Sequence, residues 1–374
     1  MSDSPPTRIL LVDDESQGAL LDNLRAVGVK VDFRLPEEIE VATLCSTDLV
    51  LLDVDLGWAA SEKDVVDLHP PDGLALAAIL RRQTCLAGAD SSPTGVALLT
   101  GKFDELVAPF PPQIRRHLAA RHFNLEWIFS KTDANRVPAI ASLASAIHSI
   151  PKAWARGIRS VNDVAAFLGI EGANDISECW EAVERCHAPL FEFTQWSHGV
   201  AFVRWMLHQI LTHPCFLWDS YQVAARLRIT HPYFSQTLDK SEAFRERLRP
   251  ATYTGMLRDF AGPRWWRHRI EALAWDLTNG DPQNGDALRL SLSKIMSEDV
   301  TPSSVPRPIV CFNELYQPIE ETYAIEDAVR VQPDDWPSYA DSAWMPIVLL
   351  RDHPHLQPLL LQEDRERFDA YGTE

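Results

Sequence analysis

The first 150 residues alternate between short apolar runs and amphipathic stretches, and the hydrophobic period changes from block to block. Arg8 to Asp14, RILLVDD, is a continuous apolar run that stops on two acids, so residues 8–13 read as a buried strand. Residues 15–27 place Leu20, Leu21, Leu24 and Val27 at helical spacing, and Gly28 supplies the stop. Residues 29–34, VKVDFR, alternate as a strand does, and 37–45 form a short helix. Thr47 to Gly57, TDLVLLDVDLG, contains the next strand, 47–53, which ends abruptly on Asp53. Residues 54–72 are polar and irregular until PDG at 71–73 opens a helix, LALAAILRR. GVALLT at 95–100 is a strand ending on a hydroxyl, 112–121 is helical, 125–130 is a strand followed by Lys131, and 137–150 is a helix stopped by Pro151. Strands alternating with helices about five times over predict an α/β fold, a doubly wound five-stranded parallel sheet.

In such a sheet the carboxyl ends of the strands present reactive groups to solvent. Asp13 and Asp14 end one strand and Asp53 another, which suggests one acidic pocket. Taken alone, Asp13 and Asp14 would pass for caps of the following helix, and Asp53 and Lys131 for a surface ion pair. The set as a whole is more specific. An acidic pair follows the first strand, Asp53 the third, Thr100 the fourth and Lys131 the fifth. In this order the chain resembles the receiver domain of two-component response regulators over residues 7–150, a flavodoxin-like fold.

The resemblance implies that Asp53 accepts a phosphoryl group from a phosphohistidine on a sensor histidine kinase or phosphotransfer protein. It also implies Mg²⁺, whose hardness suits carboxylate oxygens, held by Asp13, Asp14, Asp53 and the backbone carbonyl of Asp55. Lys131 would add a fixed positive charge beside the phosphoryl oxygens, and Thr100 would donate a hydrogen bond that reports the phosphate. Receivers also pair as homodimers through the face near their fourth and fifth strands. This sequence departs from the family in four places. A long loop, WAASEKDVVDLHP over 58–70, separates DVDLG from PDG and is expected to overhang the pocket and govern which donor reaches Asp53. The stretch from Thr100 to Lys131 is lengthened and includes APFPP. Thr132 stands where a proline is common after the lysine. Ile128 replaces an aromatic residue, with Trp127 and Phe129 on either side.

Beyond Pro151 the α/β alternation is lost and ten of the twelve tryptophans occur. Helical spacing over 160–169, 174–190, 196–213 and 218–228 predicts a mainly α-helical C-terminal domain spanning 151–299. Tyr221 to Leu238 has the outline of a helix-turn-helix, with Ala224 at the packing point, Leu227 and Ile229 about a turn, and Phe234 in the second helix. Ser235, Gln236 and Lys240 would then face DNA, although Arg228 holds the usual glycine position and Thr237 a usually aliphatic one. Residues 262–277, GPRWWRHRIEALAWDL, read as a helix opened by Pro263, with Trp265 and Trp266 as core or interface rather than base-stacking rings. A helix at 287–297 and a linker at 300–308 follow. The remainder, 300–374, reads as an acidic extension packed on the helical domain, extended at first and helical again through DDWPSYADSAWMPIVLL.

Charge sharpens this division. The net charge of −18 argues against a chain coated in nucleic acid, yet Arg226 to Arg269 carries ten Lys/Arg against four Asp/Glu. From Met296 onward sixteen acids face five bases, so the tail and the basic middle are expected to pack together or mask one another. The six cysteines are scattered without metal-ligand spacing and read as reduced cytosolic thiols. His208, His213 and Cys215 read as packing residues. No signal-like or membrane-length apolar run is present, which predicts a cytoplasmic protein with no membrane partner. No HD pair, GGDEF-like string, Walker loop or local Ser-His-Asp motif appears, so the sequence predicts a phosphoryl acceptor and not an enzyme. The favoured reading is a response regulator whose helical domain binds a protein partner or relays phosphate. A transcriptional regulator using residues 221–240 is the first alternative, and an effector enzyme with an unrecognised C-terminal site the second.

Overall fold

A computed structural model describes residues 6–57, 69–86, 93–110, 115–150, 161–170, 179–181, 183–188, 199–296 and 299–371. The chain forms two compact units, one of residues 1–212 with 255–261, the other of 213–254 with 262–374.

The first unit is built on a five-stranded parallel sheet of β1 (Arg8–Val12), β2 (Lys30–Arg34), β3 (Leu49–Leu52), β4 (Gly95–Thr100) and β5 (Ile128–Ser130). Its order, β2-β1-β3-β4-β5, is that of a doubly wound, flavodoxin-like α/β fold. The connecting helices are α1 (Gly18–Ala26), α2 (Val41–Cys45), α3 (Gly73–Leu86), α4 (Phe103–Val107), α5 (Arg116–His122) and α6 (Arg136–His148). Every residue of β3 and β4 is buried, which explains their unbroken apolar runs: helices cover both faces of a parallel sheet. The edge strand β2 is half wetted and alternates accordingly. Gly28, at φ 85°, closes α1 as its sequence position indicates.

Helix α7 (Val161–Phe167) and helix α8 (Val200–Trp205) follow in this unit, α8 running into a π-helical turn at Met206–Ile210. Helix α8 packs on α6, and the π-turn on α5. The small piece 255–261 also lies here, tied by a hydrogen bond from the Met256 amide to the Phe167 carbonyl (2.7 Å). Much of the helix expected at 174–190 lies outside the described residues, as do residues 58–68 of the long loop.

The second unit departs from the expected helical domain with an acidic extension. Its boundary falls at 212/213, and its helices share a core with strands. Helices α9 (Ser220–Arg226), α10 (His231–Lys240), α11 (Glu242–Leu248), α12 (Arg267–Leu277) and α13 (Gly285–Met296) surround buried Phe234, Phe244 and Trp265. Residues 265–266 form a strand, β7, antiparallel to β6 (Leu217–Trp218), so Pro263 does not open the helix. Adjacent strand residues point to opposite sides, and both indoles are thereby buried. Trp265 meets Phe234 edge-on and Trp266 stacks on Phe216. Within 300–374 lies a four-stranded sheet, β10-β11-β8-β9, of β8 (Ile309–Phe312), β9 (Pro318–Tyr323), β10 (Ala328–Arg330) and β11 (Trp344–Pro346). Helix returns only at α14 (Ile347–Asp352), because the prolines and aspartates of 333–341 favour turns. A short α15 (Arg365–Ala370) ends the described chain. Strands β8 and β9 pack against α9, and β9 also against α10.

Candidate functional site

The order of the parallel sheet reverses between β1 and β3, and the crevice beyond the carboxyl ends of such strands is where open α/β sheets place their sites. Asp13 follows β1 directly and Asp53 follows β3. Carboxylate oxygens of Asp13, Asp14 and Asp53 all lie within 4.8 Å of one another. Asp13 and Asp53 are buried, at 1% and 7% exposure, and Asp14 forms the open side.

Lys131, immediately after β5, reaches back to this cluster. Its Nζ donates to Asp53 Oδ2 at 2.6 Å and to Asp13 Oδ2 at 3.0 Å. The other oxygens are held by backbone. Asp13 Oδ1 accepts from the Glu15 amide, Asp53 Oδ1 from the Val54 amide, and Asp14 Oδ2 from the Gly57 amide. Thr100 ends β4 and is 1% exposed; its Oγ accepts from the Lys102 amide at 2.9 Å, leaving its own proton for another acceptor. The structure thus brings Asp13, Asp14, Asp53 and Lys131 together and sets Thr100 on the adjoining strand end.

With all groups ionised, three carboxylates and one ammonium leave the cluster with a net charge of −2. At separations under 5 Å and an effective dielectric near 20, each carboxylate pair repels by roughly 3 kcal/mol. Burial pushes the Asp13 carboxyl above its ordinary value; the Glu15 amide and Lys131 oppose this, while Asp53 adds to it. Burial also works against the Lys131 charge, but its bonds to Asp53 and Asp13 prevail and raise its pKa. An all-oxygen donor set with excess negative charge fits a hard divalent cation. It is the one group of this kind among the described residues.

Two glycines shape the pocket, and sequence reading alone gave them no role there. A Cβ on Gly73 would fall 1.9 Å from the Asp53 carbonyl oxygen, so only glycine can begin α3 against the end of β3. A Cβ on Gly57 would fall 2.5 Å from Asp14 Oδ2. Both stand in turn signals, DLG and PDG, but the close approach is a tertiary fact. The Asp55 side chain points away and pairs with Lys102 at 2.9 Å, so only its backbone remains for the pocket.

A second polar site in this unit was missed. Glu126, fully buried just before β5, binds Arg81 of α3 (2.8 Å) and Arg204 of α8 (2.9 Å) and accepts from the Val96 amide. The signal was a lone acid in the apolar run LEWIF. Beside it, Trp127 stacks on His208 and meets Phe260 edge-on, and Phe129 also meets Phe260. Trp127 and Phe129, at the sheet edge of β5, are thus packed by the chain's own π-turn and 255–261 piece.

The remaining candidates separate. His208 packs on Trp127 in the first unit, and His213 lies edge-on to Trp336 in the second. The helix-turn-helix outline is realised by α9 and α10, with Arg228 at φ 55° in the left-handed region normally given to glycine. Gln236 and Lys240 are exposed, Ser235 is half-buried and bonded to His231, and Thr237 is buried. Among the described residues no helix is long and apolar enough to cross a membrane. No protein-family model matches the chain, and no curated protein matches it significantly.

Proposed function

We propose that the first unit is a phosphoryl-accepting receiver and that the chain is a response regulator. The observation that carries this reading is the Lys131 ammonium bridging Asp53 and Asp13, with Asp14 alongside, at the switch point of a 2-1-3-4-5 sheet. Asp13, Asp14 and Asp53 would hold Mg²⁺ together with the Asp55 backbone carbonyl, and the ion would offset charge on the incoming phosphoryl group. An Asp53 carboxylate oxygen attacks phosphorus of a phosphohistidine in line. The new O–P bond forms as the P–N bond breaks, and its electron pair remains on the imidazole nitrogen, which takes up a proton. Lys131 moves from Asp53 to a phosphoryl oxygen, and Thr100 turns its hydroxyl proton toward another.

The donor is a sensor histidine kinase or phosphotransfer protein, and the site of action is the cytoplasm. The second unit is the output, through a protein partner or as a relay. The change around β4 and β5 acts on the π-turn and 255–261 piece packed there, in place of a homodimer contact. A DNA-binding output through α9 and α10 is the second reading, favoured by the Arg228 turn geometry. Against it, β9 packs on both helices, and Glu320 acts electrostatically on Tyr221 and His231.

The test is labelling with acetyl phosphate and Mg²⁺, read by intact-mass spectrometry. Wild type should gain one acid-stable, base-labile phosphoryl group, and Asp53→Asn should gain none. A wild-type chain that takes no label from acetyl phosphate or a phosphohistidine donor overturns the proposal.

A further inference from the structure

The second unit holds a cavity of about 520 Å³. That lies within the range of small-molecule sites and suits a mononucleotide-sized ligand. Its lining includes three cations, Arg226 at the end of α9, Arg228 in the turn after it, and Arg307 before β8. Three aromatic residues, Trp218, Phe312 and Trp344, also line it.

The arginines are unusual in a chain with net charge −18. None of the three has an ion-pair partner among the described residues. The one carboxylate lining the cavity, Asp341, is already engaged: its Oδ1 binds Arg267 at 2.7 Å and its Oδ2 accepts from the Trp218 indole at 3.3 Å. Arg226 Nε is buried with no hydrogen-bond acceptor, a costly state for a charged donor. Arg228 is held in place. Its guanidinium donates to the Pro282 carbonyl at 3.3 Å and lies so close to Gly285 that a Cβ there would stand 2.6 Å from it. Burial lowers the Arg228 pKa, and Arg307 and Arg226 lower it further, with Asp281 a weaker counterweight. Like charges gathered in a concave site with little counter-charge stabilise an anion placed among them. Guanidinium groups offer paired donors suited to phosphate or carboxylate oxygens.

We infer that this cavity binds a small phosphorylated ligand bearing a planar ring, a nucleotide being the common case, with Arg226, Arg228 and Arg307 on the phosphates and the Trp218–Phe312–Trp344 wall on the ring. The arginines need not be read as a DNA surface. Arg226 and Arg228 belong to the helix-turn-helix outline, but the cavity they line is also lined by β8 and by residues before β11. A nucleotide bound there bridges α9 to β8, so it would tune the output unit independently of the Asp53 chemistry.

The test is isothermal titration of the full-length chain with ADP, GDP and pyrophosphate, without Mg²⁺ so that the acidic pocket takes no part. ADP or GDP should bind, more tightly than pyrophosphate, with affinity falling as salt rises. Arg307→Gln, an exposed position whose change spares the fold, should weaken binding about tenfold, and Arg226→Gln at least as much. Circular dichroism and the thermal midpoint check that each variant is folded. Trp344→Leu should weaken the nucleotides but not pyrophosphate. Pyrophosphate binding as tightly as ADP overturns the ring assignment. No binding of any probe, or binding unchanged in both arginine variants, overturns the site. Duplex DNA bound by wild type and lost in the arginine variants, with no nucleotide binding, assigns these residues to a nucleic-acid backbone instead. Because acetyl phosphate labelling of Asp53 is scored separately, failure here leaves the receiver reading untouched.

Discussion

Asp13 is a carboxylate whose place in the fold works against its own ionised form. Its carboxyl is almost wholly buried, and burial raises its pKa above 3.8 despite the Lys131 bond. Linkage gives the sign. A carboxyl whose folded pKa is raised favours unfolding at pH values above that folded pKa, and this penalty disappears below the unfolded value. In metal-free protein at neutral pH, Asp13→Asn should therefore raise the thermal midpoint while weakening Mg²⁺ binding. Calorimetry with and without Mg²⁺ checks both, and a lowered midpoint in the absence of metal would contradict the argument. Lys131 runs the other way: its raised pKa gives stability that is complete below about pH 10.5 and fades as alkali passes its folded value. At this scale the site was legible in the sequence, because strand ends announce themselves where an apolar run stops on a polar residue. Asp13, Asp53, Thr100 and Lys131 all stand at such stops. Gly73 was not legible as a site residue, since its need for a missing Cβ arises from the Asp53 carbonyl, twenty residues away.

Among elements, the junction of α3, α8 and the start of β5 is decided by Glu126. Burial alone would raise its pKa, but Arg81 and Arg204 outweigh burial and lower it below its ordinary 4.5. Breaking a buried pair by removing one partner costs about 3–5 kcal/mol, so Glu126→Ala should destabilise the first unit by that order in denaturant titration. The stability Glu126 supplies is complete above pH 4.5 and is lost as acid passes its folded value. His208, in the neighbouring π-turn, acts at higher pH. Burial, with His117 and Arg204 nearby, pushes its pKa down to about 3 from 6.5. The unfolded chain then binds the proton first, so stability should begin to fall below pH 6.5, at up to about 1.4 kcal/mol per pH unit. His208→Phe should remove that slope; its persistence in hydrogen exchange of residues 200–210 would count against the assignment. These pairings join residues about 45 and 78 positions apart. Helical periodicity located α8 but could not say that it packs on α6 or sends Arg204 to Glu126. The same blindness turned Trp265–Trp266 into a helix start, because a two-residue strand leaves no period to read.

For the whole molecule, the boundaries matter more than the elements. The α/β pattern ends near residue 150, yet the first compact unit continues to 212 and includes 255–261. The backbone therefore passes between units at 212/213, 254/255 and 261/262. Composition cannot show this, because 255–261 (GMLRDFA) is chemically ordinary and its partners, Trp127 and Phe129, are distant in sequence. The consequence is a prediction about fragments. Residues 1–150 contain the complete sheet and the acidic cluster, so on the proposed receiver reading they should take phosphate from acetyl phosphate without the rest of the chain. They lack His208 and Phe260, so the Trp127–Phe129 edge loses its cover and becomes an exposed aromatic patch of the kind that drives association. The fragment should self-associate in analytical ultracentrifugation, whereas the full chain should not pair through this edge. Phe260→Ala in the full chain isolates the cause. It deletes the ring that meets both aromatics and should cost about 3–5 kcal/mol as a large-to-small change. A fragment that stays monomeric at high concentration would mean that β5 needs no cover, and would count against the proposed route from Asp53 through this edge.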